Sequence, residues 1–318
     1  MAHVLGQNQY GKAENRIVRV HRDSARHEIK DLNVSVSLRG EFDDVHLTGS
    51  NANCLPTDTI KNTVYAFAKE YGIESAEAFG ILLARHFVDD TERGVVHGAR
   101  IRIEEYAWER IRTPDGSAGF IGSEKEKEEV EVEVEVEMGH SFVRSGQEVR
   151  TSEIVYDGES VRVISGLKDL VVMNSTNSEF WGYIKDGYTT LEEAYDRILA
   201  TQVTARWKFG HSGRDGEAQP DWNHSYTQVK RHLLEAFAET YSYSLQQTLH
   251  AMGTRVLDNR AEVDEVRLEL PNKHHFLVDL EPFGLRNENE VYYAADRMYG
   301  LIEGTVHREG VVPVIPVA

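Results

Sequence analysis

The residues best suited to chemistry lie together in residues 270–280, Leu-Pro-Asn-Lys-His-His-Phe-Leu-Val-Asp-Leu. Val266, Leu268 and Leu270 alternate with charged residues before this stretch, and Phe276, Val278 and Leu280 alternate after it, so two strand runs joined through Pro271 are expected. A period of two places Asn272 and His274 on one face and Lys273 and His275 on the other. A carboxamide and an imidazole projecting side by side from a strand end make a candidate chemical site. The same pair could equally be hydrogen-bonded polar residues at a sheet edge, and these few residues leave both readings open.

Other chemistry-bearing residues belong to elements that must be placed first. Lys12, in Gln9-Tyr10-Gly11-Lys12, is expected just ahead of a first strand over residues 17–20, where it would ordinarily be a solvated loop lysine. Leu32, Val34, Val36 and Leu38 alternate with Asn33, Ser35 and Ser37, which predicts a half-buried antiparallel strand paired with the first. Thr57-Asp58-Thr59 then opens a helix carrying Ile60, Val64, Phe67, Ala68 and Tyr71 at helical spacing. Thr or Asp there can be a plain N-cap; a helix N-terminus with free N–H groups also suits an anionic ligand. A second helix carries Phe79, Leu83 and Phe87, and Arg100 to Ile103 returns to strand. Charges accumulate over residues 124–137, and Val130, Val132, Val134 and Val136 alternate with Glu131, Glu133, Glu135 and Glu137, which predicts a strand with one acidic, solvated face.

The second half repeats the plan. Strand runs are expected over 148–156, 160–164 and 170–173. Helical spacing returns with Val229, Leu233, Phe237 and Tyr241 and continues through Leu245, Leu249, Met252 and Val256. Ala66-Phe-Ala-x-x-Tyr71 matches Ala236-Phe-Ala-x-x-Tyr241, so the chain reads as two copies of a strand pair, a helix pair and a strand, divided as residues 1–140 and 141–318. Each copy would lay helices on one face of an antiparallel sheet, an α+β architecture. Phe180 follows a polar turn cluster and is either a core residue or an exposed aromatic face. Thr190-Leu-Glu-Glu193 forms a capping box, predicting a short helix with Leu191, Ala194, Tyr195 and Ile198 on one stripe. Arg197 lies off that stripe, as a surface arginine pairing with Asp196 or Glu193 would.

Composition narrows the class. No run of about 18 apolar residues occurs, so no membrane-spanning helix is expected. Cys54 is the single cysteine, which forbids an intrachain disulfide and a thiolate-rich zinc site. The N-terminus lacks an apolar leader and the chain ends Val-Pro-Val-Ile-Pro-Val-Ala without a peroxisomal tripeptide, so a cytoplasmic location is expected. A net charge of −18 argues against wrapping nucleic acid. For a small anionic substrate, local cations would have to overcome that charge.

Residues 270–280 resemble the signature of the urate oxidase (uricase) family. The resemblance extends in family order through Tyr10-Gly-Lys12, Thr57-Asp-Thr-Ile-Lys-Asn62, Ser178-Glu-Phe-Trp-Gly182, Tyr188-Thr-Thr-Leu191, Asp196-Arg-Ile-Leu199 and Leu245-Gln246, covering nearly the whole chain. It implies the tunnelling fold (T-fold), in tandem repeats whose sheets join between subunits into a barrel, usually as a homotetramer with active sites between subunits. It also implies an oxidoreductase of purine degradation that converts urate, O2 and water to 5-hydroxyisourate and hydrogen peroxide without a cofactor or metal.

By similarity, Arg197, Gln246 and the main-chain amide of Leu245 would grip one edge of urate while Phe180 stacks on its ring. Thr57 and the main chain of Asp58, from a neighbouring subunit, would hold the opposite edge. Lys12, Thr57 and His274 resemble a proton relay, and Asn272 would hold dioxygen or water over the ring. No glycine-rich dinucleotide turn and no metal-ligand spacing is evident, the adjacent His274 and His275 being expected to face opposite ways. A pterin enzyme of the same fold or a non-catalytic purine-binding protein are the rival readings. The Glu/Val stretch departs from the family pattern and contains no site residue.

Overall fold

The computed structural model describes residues 3–114, 135–210 and 218–317. Its elements follow in the order β1 (Tyr10–His21), β2 (Glu28–Gly40), α1 (Asp43–Leu47), α2 (Thr57–Glu70), α3 (Ala76–Asp89), β3 (Val96–Pro114) and β4 (Glu135–Tyr156). The second half contributes β5 (Val161–Asn174), β6 (Leu199–Phe209), α4 (Trp222–Glu239), α5 (Leu245–Asn259), β7 (Val263–Leu277) and β8 (Tyr292–His307). The eight strands form one sheet in sequence order, each antiparallel to the next. The expected boundary at residue 140 lies within β4.

The alternation that marks β2 explains the layering. Leu32, Val34, Val36 and Leu38 are essentially fully buried, while Asn33, Ser35 and Ser37 face the other side half-covered. Against the apolar face pack Ile60 and Val64 of α2, Phe79, Leu83 and Phe87 of α3, Val229 and Leu233 of α4, and Leu249, Met252 and Val256 of α5, in one continuous core. Helical and strand periods therefore agree on a single buried layer.

Four expectations change. β1 begins at Tyr10, so Lys12 is a strand residue paired with Val36. Gly11 permits this, because a Cβ there would stand 1.9 Å from the Val36 carbonyl oxygen, an approach only glycine allows. The runs 160–164 and 170–173 fuse into β5 across Asp169, whose φ of 63° marks a bulge. The runs around Pro271 fuse into one strand, β7, with a register shift against β8 between Asn272 and His274. The extra residues at that shift lie in β8, and His274 and His275 pair in regular register with Ala295 and Ala294, so the two imidazoles keep the opposite facing expected of adjacent strand residues. The fourth change, in residues 190–198, belongs to the site below. Of the Glu/Val stretch, residues 124–134 lie outside the described residues and 135–137 open β4, with Glu137 paired to Arg26 at 2.7 Å.

The two halves meet on a buried ion pair. Arg150 of β4 donates to Glu77 of α3 at 2.6 Å and to Asn223 of α4 at 2.8 Å, and its guanidinium lies 4.6 Å from the Tyr226 ring centroid. The other oxygen of Glu77 accepts from Ser165 of β5 at 2.6 Å. The two side chains are 10% and 0% exposed, and Glu105 stands 3.5 Å from the other side of the guanidinium, so removing Glu77 leaves Arg150 with only the longer of its two carboxylate contacts. Glu77→Ala is expected to lower unfolding free energy by about 2–4 kcal/mol in urea denaturation; a loss under about 1 kcal/mol would mean that Glu105 or water meets the Arg150 charge.

Candidate active site

The site residues fall into two groups. The first forms where the loop between β5 and β6 meets the start of α5. Phe180 and Ala194 pair as an antiparallel bridge, with N–O distances of 2.7 and 2.9 Å, and the amide of Arg197 donates to the Ser178 carbonyl at 2.9 Å. These pairings displace the helix expected over residues 190–198. The Glu193 carboxylate accepts from the Gly182 amide at 3.3 Å and pairs with Lys185 at 3.2 Å, so it does not close a capping box with Thr190.

Phe180 is half-buried rather than a core residue, stacked on Tyr183 at 5.1 Å and 14°. The Arg197 guanidinium lies 5.2 Å from the Phe180 centroid, and its Nε donates to Ser178 Oγ at 3.2 Å. Arg197 is therefore a placed, partly buried cation and not the surface arginine of the plain reading; burial lowers its pKa from the ordinary value.

The amides of Glu179 and Ser242 bond across to the Ser242 and Asn177 carbonyls at 2.8 and 3.0 Å, tying this loop to the entry of α5. Ser244 caps α5 by accepting from the Gln247 amide at 3.2 Å. Leu245 and Gln246, the first two helical residues, then occupy the turn whose N–H groups have no partner within the helix. Leu245 is buried, and Gln246 is exposed.

β6 leads directly out of this loop, and its Thr201 and Ala200 pair with Asn272 and Lys273 of β7. His274 follows at the register shift, half-buried, with its ring 5.8 Å from that of Phe276. Its pKa falls below the ordinary imidazole value, first through burial, then through the charge of Arg197 and that of His275. His274 is thus held neutral at neutral pH, able to accept a proton.

The second group comprises Lys12, Thr57 and Asp58. Thr57 is the first residue of α2 and Pro56 stands at the N-cap with no side-chain cap hydrogen bond, so the Thr/Asp capping expectation is not met. The Asp58 carboxylate instead pairs with Lys61 and accepts from Asn62 at 3.0 Å. Its pKa is lowered first by the Lys61 hydrogen bond and more weakly by the charge of Lys12, which places Lys12 in electrostatic reach of the helix start. The opening residues of α2, Thr57 among them, form an exposed turn whose first amides have no partner within the helix.

The chain does not bring the two groups together. Six inter-strand steps separate β1 from β7, or roughly 29 Å along the sheet at about 4.8 Å per step. Among the described residues no group of three His, Cys, Asp or Glu side chains is placed to hold a metal ion. A cavity of about 570 Å³ lined by Glu105, Glu148, Arg150, Asp169 and Tyr226 lies at the junction of the halves and contains none of the predicted site residues.

The sequence model of the family described as Uricase matches residues 8–155 and 163–303. The chain belongs to the uricase family. It is 46% identical over 307 residues to the uricase of Arthrobacter globiformis, covering 96% of this chain and 91% of that one, and 35% identical over 306 residues to that of Dictyostelium discoideum, covering 96% and 97%. The crystal structure of the Arthrobacter globiformis uricase superposes with a TM-score of 0.86 at 45% identity, covering 99% of each chain. The urate oxidase of Bacillus sp. TB-90 shares the fold at a TM-score of 0.76 and 20% identity, covering 95% of this chain and 100% of that one. The tandem T-fold expectation thus holds at the level of the fold.

Within this uricase-family chain, sequence reading passed over Ser178, Ser242 and Thr248. All three are buried; Ser178 receives the Arg197 side chain, and Thr248 Oγ1 donates to Ser242 Oγ at 2.9 Å. Ser178 stood inside a quoted motif, but nothing in its spacing signalled that it holds the arginine. Replacing Arg197 with Gln removes a cation that opposes His274 protonation, so the His274 pKa is expected to rise, though burial keeps it below an exposed imidazole. NMR titration of the His274 ring in both proteins checks this; an unchanged or lower pKa would mean that Arg197 does not act on it.

Proposed function

We propose that the chain oxidises urate with dioxygen and water to 5-hydroxyisourate and hydrogen peroxide, as a urate oxidase of purine degradation. The observation that carries this is family membership over almost the full chain, with relatives from a bacterium and an amoeba both named uricase. Two helix N-termini, one guanidinium and a half-buried aromatic ring are the features a flat, anionic heterocycle needs.

In this reading Arg197, Gln246 and the Leu245 amide hold one edge of urate, and Phe180 stacks on its face. Thr57 and the Asp58 amide hold the opposite edge, while Lys12, Thr57 and His274 carry protons. Asn272 faces the ring on the oxygen side. The neutral His274 supports a base at that position, and the open first turns of α2 and α5 support the two main-chain donors. The electrons come from deprotonated urate itself, which passes two of them to O2 without an added cofactor.

The separation of the two groups within one chain supports a site shared between subunits, in a homotetramer of barrels. We divide the chain into repeats at 1–140 and 141–318, and place the protein in the cytoplasm; no described helix is long and apolar enough to cross a membrane.

Metal-stripped, flavin-free protein mixed with urate in air is expected to consume urate and O2 in equal amounts and release equal peroxide. Urate bound but unconsumed would overturn the oxidase reading in favour of a binding protein. In the same assay Lys12→Met should lower kcat by roughly 10²-fold or more with urate affinity retained. Arg197→Ala should instead weaken urate binding by roughly tenfold or more, the loss of a charged hydrogen bond. Equal urate Kd values for Arg197→Ala and wild type would remove Arg197 from the binding site.

A further inference from the structure

One phenol joins the two segments that carry Lys12 and Thr57. The hydroxyl of Tyr10, two residues before Lys12, accepts from the Leu55 amide at 2.8 Å and donates to the Leu55 carbonyl at 3.1 Å. Leu55 stands two residues before Thr57, and the residue between them, Pro56, has a ring that fixes its φ near the observed −55°. Displacement of Leu55 is therefore transmitted to the first turn of α2 with little slack.

The other end of the phenol is anchored as firmly. Its ring meets Phe42 edge-on, with centroids 4.7 Å apart and planes at 83°, and Phe42 is 1% exposed. Tyr10 and Lys12 are two apart on one strand and so project to the same face of β1. Gly11 between them presses on the Val36 carbonyl, and beyond the bulge at Glu14 the buried Asn15 donates to the Val34 carbonyl at 3.0 Å, so β1 cannot slide along β2. Burial, and then a hydrogen bond with Cys54, push the Tyr10 pKa up to about 12. The hydroxyl thus remains a donor at any ordinary assay pH.

We propose that Tyr10 is a positioning residue that sets the spacing between the Lys12 ammonium and the Thr57 hydroxyl, and acts on turnover through that pair. The proposal rests on reading Lys12 and Thr57 as members of the proton relay. Its physical basis is that a misplacement of about 1 Å at reacting groups can cost as much as 10²-fold in rate, while ligand contacts made elsewhere are untouched. Arg197, Gln246 and Phe180 belong to elements that Tyr10 does not touch, so the part of urate affinity they supply should be spared and any loss should come only through Thr57 and the Asp58 amide.

The test is a double-mutant cycle between Tyr10 and Lys12. Tyr10→Phe keeps the ring against Phe42 and deletes both hydrogen bonds to Leu55. It is expected to lower kcat about tenfold with a smaller rise in urate Kd, since only the Thr57 and Asp58 contacts share the displacement. In the Lys12→Met background the same substitution should change kcat by less than about twofold, because the pair it positions is already broken. Phe42→Leu, which loosens the ring but leaves the hydroxyl, should give a smaller loss with the same dependence on Lys12.

A tenfold loss that persists undiminished in the Lys12→Met background would overturn the proposal, as would wild-type kcat in Tyr10→Phe. If Lys12→Met itself turned over at the wild-type rate, the relay reading would fail and this proposal with it. If Lys12→Met were impaired and Tyr10→Phe were not, only the positioning role would fall. Unfolding midpoints of all variants separate these outcomes from loss of fold.

Discussion

The buried pair of Arg150 and Glu77 is the constraint on which the arrangement of the two halves depends. Hydrophobic burial is non-directional and would accept many relative positions of α3 and α4 on the sheet. A guanidinium only 10% exposed would not, because its charge must be met by groups in fixed places. Glu77 from α3, Glu105 from β3, Asn223 from α4 and, through Glu77, Ser165 from β5 are those groups. The pair adds little net stability over an apolar substitute of equal volume. What it excludes is every packing in which the helix pairs of the two halves approach β4 and β5 differently.

That junction also explains why chemistry is not duplicated along the chain. β1 and β5 carry the same irregularity, a positive-φ residue, at Glu14 and Asp169, where pairing to the next strand shifts register. Two residues before these bulges stand Lys12, paired with Val36, and Leu167, paired with Ala205. Leu167 is fully buried in the core, so the internal counterpart of the lysine position has been given to packing. Lys12 instead lies on an edge strand, and the other site group lies on β7 and the loop before β6, near the opposite edge. In the proposed assembly, joining such edges between copies would pair the open strands and complete the site in one step, removing the exposed ladder that a lone sheet presents.

The layers of the fold were legible in the sequence because they depend on local periodicity. The strict alternation in residues 32–38 and the helical spacing of Ile60, Val64 and Phe67, or of Val229, Leu233 and Phe237, each survive in place. Boundaries that depend on partners were not legible. Tyr10 to Lys12 reads as a polar loop until β2 is beside it, and Gly11 then becomes the condition for pairing rather than a breaker. Thr190 to Glu193 has a sound capping signature, yet Phe180 and Ala194 offer the backbone a bridge that the local signal cannot register. The residues given chemical roles were found by resemblance, while Tyr10 and Ser178, though inside two of the same motifs, and Ser242 carry no chemical signature, and their holding roles show only in the hydrogen bonds.

Electrostatics at the site has to be weighed against a chain of net charge −18. The Debye length is about 8 Å at physiological ionic strength, so most exposed carboxylates act on an incoming anion only weakly. In the proposed shared site the positive groups within that length would be Arg197, partly withdrawn from solvent, Lys12, and the first turns of α2 and α5, each turn equivalent to roughly half a positive charge. At short range and in lower dielectric these terms prevail over the screened background. The same cation has a second effect, since the field of Arg197 that favours an anion also disfavours a proton on His274. Bound urate would partly cancel that field and make the imidazole more basic. Substrate charge would then raise the proton affinity of the group placed to receive its proton, coupling binding to chemistry through one guanidinium.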